Sequence, residues 1–247
     1  MKKMSFEKTK NKERRLQSGR IFFVTLVSVL VLVASHPAAA DPPARFEPPV
    51  RMMTRNLYLG ADIFAVVNVG DPTLITVAVA EKYAMMLQND FAERAEAIAM
   101  EIGEKNPDLI GCQEVAQFTR FRPTGILEAP LQVIEQFDYL GLLLDALQAG
   151  GLEYEVAAVG FNADVTLPML QGFDGSGIPL LDYVRYLDRD IILVKKGIVV
   201  ENAIAHGFVK NFSVAFSETQ QVVFKRGFVA VDATVRGKTY RFVNAHV

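Results

Sequence analysis

Beyond residue 50 the spacing of apolar positions changes several times, and each change marks an element. Arg51 to Leu57 and Leu109 to Gln113 are short apolar stretches that end in polar residues, as strands running out of a core do. Between them, Asp71-Pro72 resembles an N-cap followed by proline at the first helical position. Helical character then continues with a break near Asn89-Asp90. Phe91, Ala95, Ile98 and Ile102 recur at helical spacing until Asn106-Pro107 stops the run. A strand–helix–strand order with a right-handed crossover makes the two strands parallel. Their ends, Asn56 and Glu114, then emerge on one side, where ligand sites of open α/β sheets gather.

Val115 to Pro130 reads as a polar loop, and a further helix is expected over Leu131 to Gln148, ended by Gly150-Gly151. Its stripe of Leu140, Leu143, Leu144 and Leu147 is read as core rather than as a partner-binding face, so no protein partner is implied. After Gly151 the pattern is that of strands: Tyr154 to Phe161, Arg189 to Lys195, Ile198 to His206 and Val222 to Val235. Asn162 to Leu181 is expected to be a long Gly- and Pro-containing connection. Arg236-Gly237-Lys238 signals a tight reversal into Thr239 to Val247. Helices between early strands followed by a run of antiparallel strands predict an α+β (α/β) fold of face-to-face sheets flanked by helices.

The N-terminus has a different character. A basic leader (Lys2 to Arg20), the apolar run Ile21 to Ala34 and the small residues Ala38-Ala39-Ala40 make residues 1–40 a secretory signal peptide. The apolar run is shorter than the about 20 residues a membrane span needs, so no span is expected after cleavage. Localisation is therefore expected to be secreted or periplasmic. Residues 41–50 form a Pro-rich linker, and 51–247 the domain. Residues 1–40 hold eight basic and two acidic side chains of the chain's 26 and 28, so their removal leaves a net charge near −8. Such a chain gains little nonspecific affinity for nucleic acid, although a metal ion can offset the charge locally. Cys112 is the only cysteine, which excludes an intramolecular disulfide and, within its apolar strand, reads as a buried thiol.

Glu114 leads the candidates for chemistry. A carboxylate closing an apolar strand needs a partner, and a hard cation such as Mg²⁺ supplies one; the alternative is a solvated residue opening a loop. Asn56 at the neighbouring strand tip can orient Glu114, ligate a metal or donate to phosphate, or can simply be a turn residue. His246 can donate to a phosphate oxygen or be structural. Arg189, in Asp188-Arg189-Asp190, can clamp a phosphate or belong to a surface charge cluster. Asp62 gives the loop after Leu57 some ligand potential, His206 stands in no motif, and Lys225-Arg226 reads as a solvent-facing basic pair.

Taken in order, Thr54-Arg55-Asn56-Leu57, Leu109 to Val115, Asp188-Arg189-Asp190-Ile191-Ile192-Leu193 and Phe242-Val243-Asn244-Ala245-His246 resemble the endonuclease/exonuclease/phosphatase superfamily. The resemblance covers about Arg51 to Val247. It implies a deoxyribonuclease-like, four-layer α/β/β/α sandwich and a metal-dependent phosphoester hydrolase. Glu114 would ligate Mg²⁺ (Mn²⁺ or Ca²⁺ as substitutes) and Asn56 would support metal or phosphate. His246 would contact the scissile phosphate, with Arg189 in a recognisable segment and Asn244 structural. The substrate would be a nucleic acid, a phospholipid headgroup or a smaller phosphoester. The family's later Gly-Asp-x-Asn and Ser-Asp-His segments do not follow Val247. The chain is therefore expected to be an N-terminal portion with an incomplete second sheet and little activity of its own. The alternative is a non-catalytic exported binding protein that keeps the scaffold.

Overall fold

The computed structural model describes residues 48–67, 69, 71–125, 131–215 and 221–246. The signal peptide and most of the linker expected at 1–50 lie outside them. Strand β1 (Met52–Asn56) is followed by a short helix α1 (Phe64–Val67), then by α2 (Ile75–Gln88) and α3 (Phe91–Lys105). Asp90 separates these two helices and caps the second, its carboxylate accepting from the N–H groups of Ala92 and Glu93. Strand β2 (Leu109–Gln113) returns parallel to β1, in register from Met52↔Leu109 to Asn56↔Gln113. The expected strand–helix–strand unit is therefore present, and its two strand tips are adjacent.

The next segment departs from expectation. Val115 to Pro130 contains strand β3 (Gln117–Arg122). The expected helix from Leu131 divides into β4 (Gln132–Asp138) and α4 (Tyr139–Ala149). The leucine stripe belongs only to the second half. In the first half, β3 and β4 pair antiparallel, and cross-strand Arg120 and Glu135 form an ion pair at 3.0 Å. Asp138 then caps α4 by accepting from Leu140 N–H at 3.1 Å.

The long connection expected at 162–181 is instead a two-stranded arm, β5 (Tyr154–Phe173) with β6 (Pro179–Lys195). Bulges on β5 break the alternation that would have revealed it. Pro168 is tolerated because, among the described residues, β5 pairs in this sheet with β6 alone. β6 is the spine of the first sheet: β5 lines one side of it, while β3 and then β2 occupy the other.

The second sheet has the order β11-β10-β7, from β7 (Val199–Gly207), β10 (Gly227–Val235) and β11 (Lys238–His246). The single strand expected from Val222 divides into β9 (Gln221–Phe224) and β10, and β9 pairs with an unforeseen β8 (Phe212–Ala215). The reversal at Arg236-Gly237 is as expected. Both residues adopt the positive φ of a type I′ turn, 49° and 77°.

Two cores set the layers. Buried residues of α2, α3 and α4 pack on one face of the first sheet. On its other face Leu109, Ile192 and Val194 meet Val229, Val231 and Ala233 of the second sheet. Helices, sheet and second sheet are thus three of the four expected layers in an α+β fold. Among the described residues no helix is long and apolar enough to cross a membrane.

Polar ties cross between the sheets. Asp108 takes a bidentate pair of hydrogen bonds from Arg236, each 3.1 Å. Asn244, 4% exposed, donates to the carbonyls of Cys112 and Ile191 at 2.9 Å each and accepts from Gln113 Nε2. A Cβ on Gly111 would lie 2.8 Å from Asn244 Oδ1, so the strand keeps glycine where the other sheet's amide presses in. Gly111→Ala is expected to destabilise the fold by about 1–3 kcal/mol. Urea unfolding measures this, and an unchanged midpoint would show that the two sheets are not this close.

Candidate functional site

The site begins where β1 and β2 end. Leu57 N–H donates to Gln113 O at 2.9 Å, which carries the ladder one residue past the strand tips. Glu114 then takes a left-handed backbone, φ +56°, a conformation that is strained for a non-glycine residue and recurs at functional sites. Its Oε1 accepts from Asn56 Nδ2 at 2.9 Å and its Oε2 from Leu59 N–H at 3.0 Å. Asn56 Oδ1 in turn accepts from Tyr58 N–H at 2.8 Å. Asn56 thus presents its NH₂ to the carboxylate, while its oxygen is held by Tyr58 N–H.

His246 arrives from the other sheet. Asn244 anchors β11 to the strand ends below, and side chains two apart share a strand face. His246 Nε2 therefore stands 3.7 Å from Glu114 Oε1, an ion pair when the ring is protonated and longer than a hydrogen bond when it is not. The three side chains expected to meet do so, although they come from two different sheets.

Arg189 does not join them. It is buried, donates to Val115 O at 3.0 Å and Ala116 O at 3.5 Å, and ion-pairs with Asp138, the N-cap of α4. Rather than clamping phosphate, it braces the backbone just after Glu114. Arg226, expected to face solvent, turns inward to Asp188 at 3.2 Å. Asp62 caps α1 through Phe64 and Ala65 N–H. His206 is exposed and lies parallel to Phe228, outside the site. Cys112 is buried, and burial pushes its thiol up to about 12, away from the reactive thiolate.

A buried polar layer was not foreseen. Asp188 and Asp190 are each 1% exposed, with Asn162 beside them. Burial, and then the charge of Asp190, push Asp188 up to about 6 against the opposing pull of Arg226 and Asn162. Asp190 is also raised, chiefly by burial, while Asn162 and His246 act to lower it. Asp188 Oδ1, both Asp190 carboxylate oxygens, Asn162 Nδ2 and His246 Nδ1 are buried and, among the described residues, make no hydrogen bond of good geometry. In sequence, Asp188-Arg189-Asp190 looks like a surface charge cluster. The available hint was the apolar run Ile191 to Leu193 directly behind it.

A divalent cation is the group the superfamily resemblance implies. Among the described residues no group of three or more His, Cys, Asp or Glu side chains is placed to hold one. At the strand tips Glu114 and Asn56 offer hard oxygen atoms, and the Glu114 carboxylate has lone pairs beyond the two hydrogen bonds it accepts. That donor set fits Mg²⁺, which keeps several waters and binds through one or two carboxylates plus substrate phosphate.

No family model matches the chain, and no curated protein matches it. Solved structures do. An endonuclease/exonuclease/phosphatase family protein from Leptotrichia buccalis C-1013-b is similar at 14% identity and a TM-score of 0.38, over 81% of this chain and 54% of that one. A truncated TDP2 from Caenorhabditis elegans is similar at 16% identity and a TM-score of 0.29, over 64% of this chain and 40% of that one. The likeness is one of fold. This chain spans about half the length of the first.

The raised Asp188 carboxyl has a consequence for stability. A carboxyl that holds its proton more tightly when folded favours the native state below pH 4, and that contribution is lost as pH rises towards 6. The loss is on the order of 3 kcal/mol. Asp188→Asn is expected to flatten this part of the stability–pH curve. An identical slope in both proteins, measured by urea unfolding between pH 4 and 7, would contradict it.

Proposed function

We propose that this chain carries a metal-binding phosphoester hydrolase site and is exported by its N-terminal signal to the periplasm or the medium. The observation that supports the reading is the meeting of Glu114, Asn56 and His246 at one corner of two sheets. Glu114 would hold Mg²⁺, with Mn²⁺ or Ca²⁺ as substitutes, and the ion would neutralise charge developing on the phosphoryl group. Asn56 keeps the Glu114 carboxylate aimed by donating to it, and its own oxygen is fixed by Tyr58 N–H. His246, whose Nε2 stands 3.7 Å from Glu114 Oε1, donates from its ring N–H to a non-bridging phosphate oxygen.

The substrate class is a phosphodiester: nucleic acid, the headgroup linkage of a phospholipid, or a smaller phosphoester. A second reading, an exported non-catalytic binding protein on the same scaffold, draws support from the thin donor set. Among the described residues no group of three or more His, Cys, Asp or Glu side chains gathers to hold a metal, and a single carboxylate binds one weakly.

Mn²⁺ titration by calorimetry separates the readings. Glu114→Ala is expected to weaken binding by at least about tenfold, and Asn56→Ala by a smaller factor. Equal affinity in the wild type and in Glu114→Ala removes the metal site from the proposal. Turnover of bis(p-nitrophenyl) phosphate by the 247-residue chain is expected to be slight. Robust Mg²⁺- and Glu114-dependent hydrolysis would show instead that these residues suffice for turnover.

A further inference from the structure

Three successive carbonyls, those of Leu57, Tyr58 and Leu59, lie between the candidate site and the helices. Arg94 on α3 holds the first two, donating through Nη1 to Leu57 O at 2.8 Å and through Nη2 to Tyr58 O at 2.9 Å. Tyr139 on α4 holds the third, its hydroxyl donating to Leu59 O at 3.0 Å. On the opposite edge of the same peptides, Tyr58 N–H donates to Asn56 Oδ1 and Leu59 N–H to Glu114 Oε2. One edge of this short segment is thus gripped by helices, while the other grips the two side chains of the site.

We propose that Arg94 is a positioning residue for Glu114. Its planar fork spans two consecutive carbonyls and so fixes the plane from which Tyr58 and Leu59 direct their N–H groups. The guanidinium is itself held, lying 5.0 Å from the centroid of the Phe91 ring and 5.6 Å from that of Tyr58. Phe91 in turn stacks on Tyr139 at 3.7 Å, which joins the two clamps into one unit. Asp90 sets the start of the helix, so Arg94 sits in its first turns, close to the strand tips. Tyr58 has a left-handed backbone, φ +59°, as Glu114 does, and a segment with two such residues needs restraint from outside to hold its shape. Lysine, a point charge on a flexible stem, cannot bridge two carbonyls in a fixed plane.

The inference rests on the reading of Glu114 as a metal ligand, and two measurements keep the claims apart. The first needs no metal: hydrogen exchange of the Leu59 amide, followed by NMR in the metal-free protein. Arg94→Lys and Tyr139→Phe are expected to speed it by about tenfold or more, while exchange in β2 stays as in the wild type. The second is Mn²⁺ affinity, expected to fall by about tenfold in Arg94→Lys and in Arg94→Ala. Added ethylguanidinium should restore affinity to Arg94→Ala, which a merely structural loss would not allow. Unchanged Leu59 exchange in both Arg94→Lys and Tyr139→Phe overturns the positioning role, whatever the metal does. If Leu59 exchange rises as expected but the wild type binds no Mn²⁺, the clamp stands and the metal reading falls.

Discussion

A single buried amide decides where the two sheets of this protein meet. Asn244 uses both of its donors and its acceptor across the interface, on Cys112, Ile191 and Gln113, in a space open only because residue 111 is glycine. Burying an amide without partners costs several kcal/mol, whereas burying it fully satisfied removes that cost and leaves one register. Apolar contacts between Leu109, Ile192, Val229 and Val231 bring the sheets together. Non-directional contacts of that kind leave the sliding of one sheet on the other loosely specified. Asn244 removes the freedom, and two residues further along β11 His246 is delivered to Glu114.

The opposite side of Glu114 is governed by different forces. Its backbone is left-handed and its carboxylate is met by an amide side chain and a backbone N–H, so several weak constraints hold a conformation that the residue alone disfavours. Those constraints are anchored in turn by Arg189 behind the strand tip and by Arg94 and Tyr139 from the helices. Both arginines face carbonyl oxygens rather than solvent. Their contribution is geometric: each fixes backbone beside the site. The buried pair Asp188 and Asp190 adds negative potential beneath, softened by Arg226.

The sequence made some of this legible and hid the rest for physical reasons. β1 and β2 are short and parallel, β2 buried throughout and β1 a part-exposed edge, and an apolar run closed by a polar residue marked both of them and the tips Asn56 and Glu114. Phe91, Ala95, Ile98 and Ile102 showed α3 because only one of its faces is buried. The arm β5–β6 escaped notice because bulges interrupt its period and Pro168 sits in an edge strand, where a missing N–H does no harm. β4 was absorbed into the following helix because Val133 and Phe137, four residues apart, fit a helical period as well as a strand. Arg189 was misplaced because an arginine between two aspartates looks solvated, whereas the fold buries all three. Arg94 gave no signal at all: its targets are backbone carbonyls, which no side-chain pattern can reveal.

The central claim is that Glu114 brings a cation within reach of both Asn56 and His246. Paramagnetic broadening by bound Mn²⁺, read on the side-chain amide of Asn56 and the ring protons of His246, tests it most directly. Strong broadening of both at sub-stoichiometric Mn²⁺, abolished in Glu114→Ala, is the predicted result. Sharp His246 ring signals beside a fully broadened Asn56 would mean that the two sheets do not build one site.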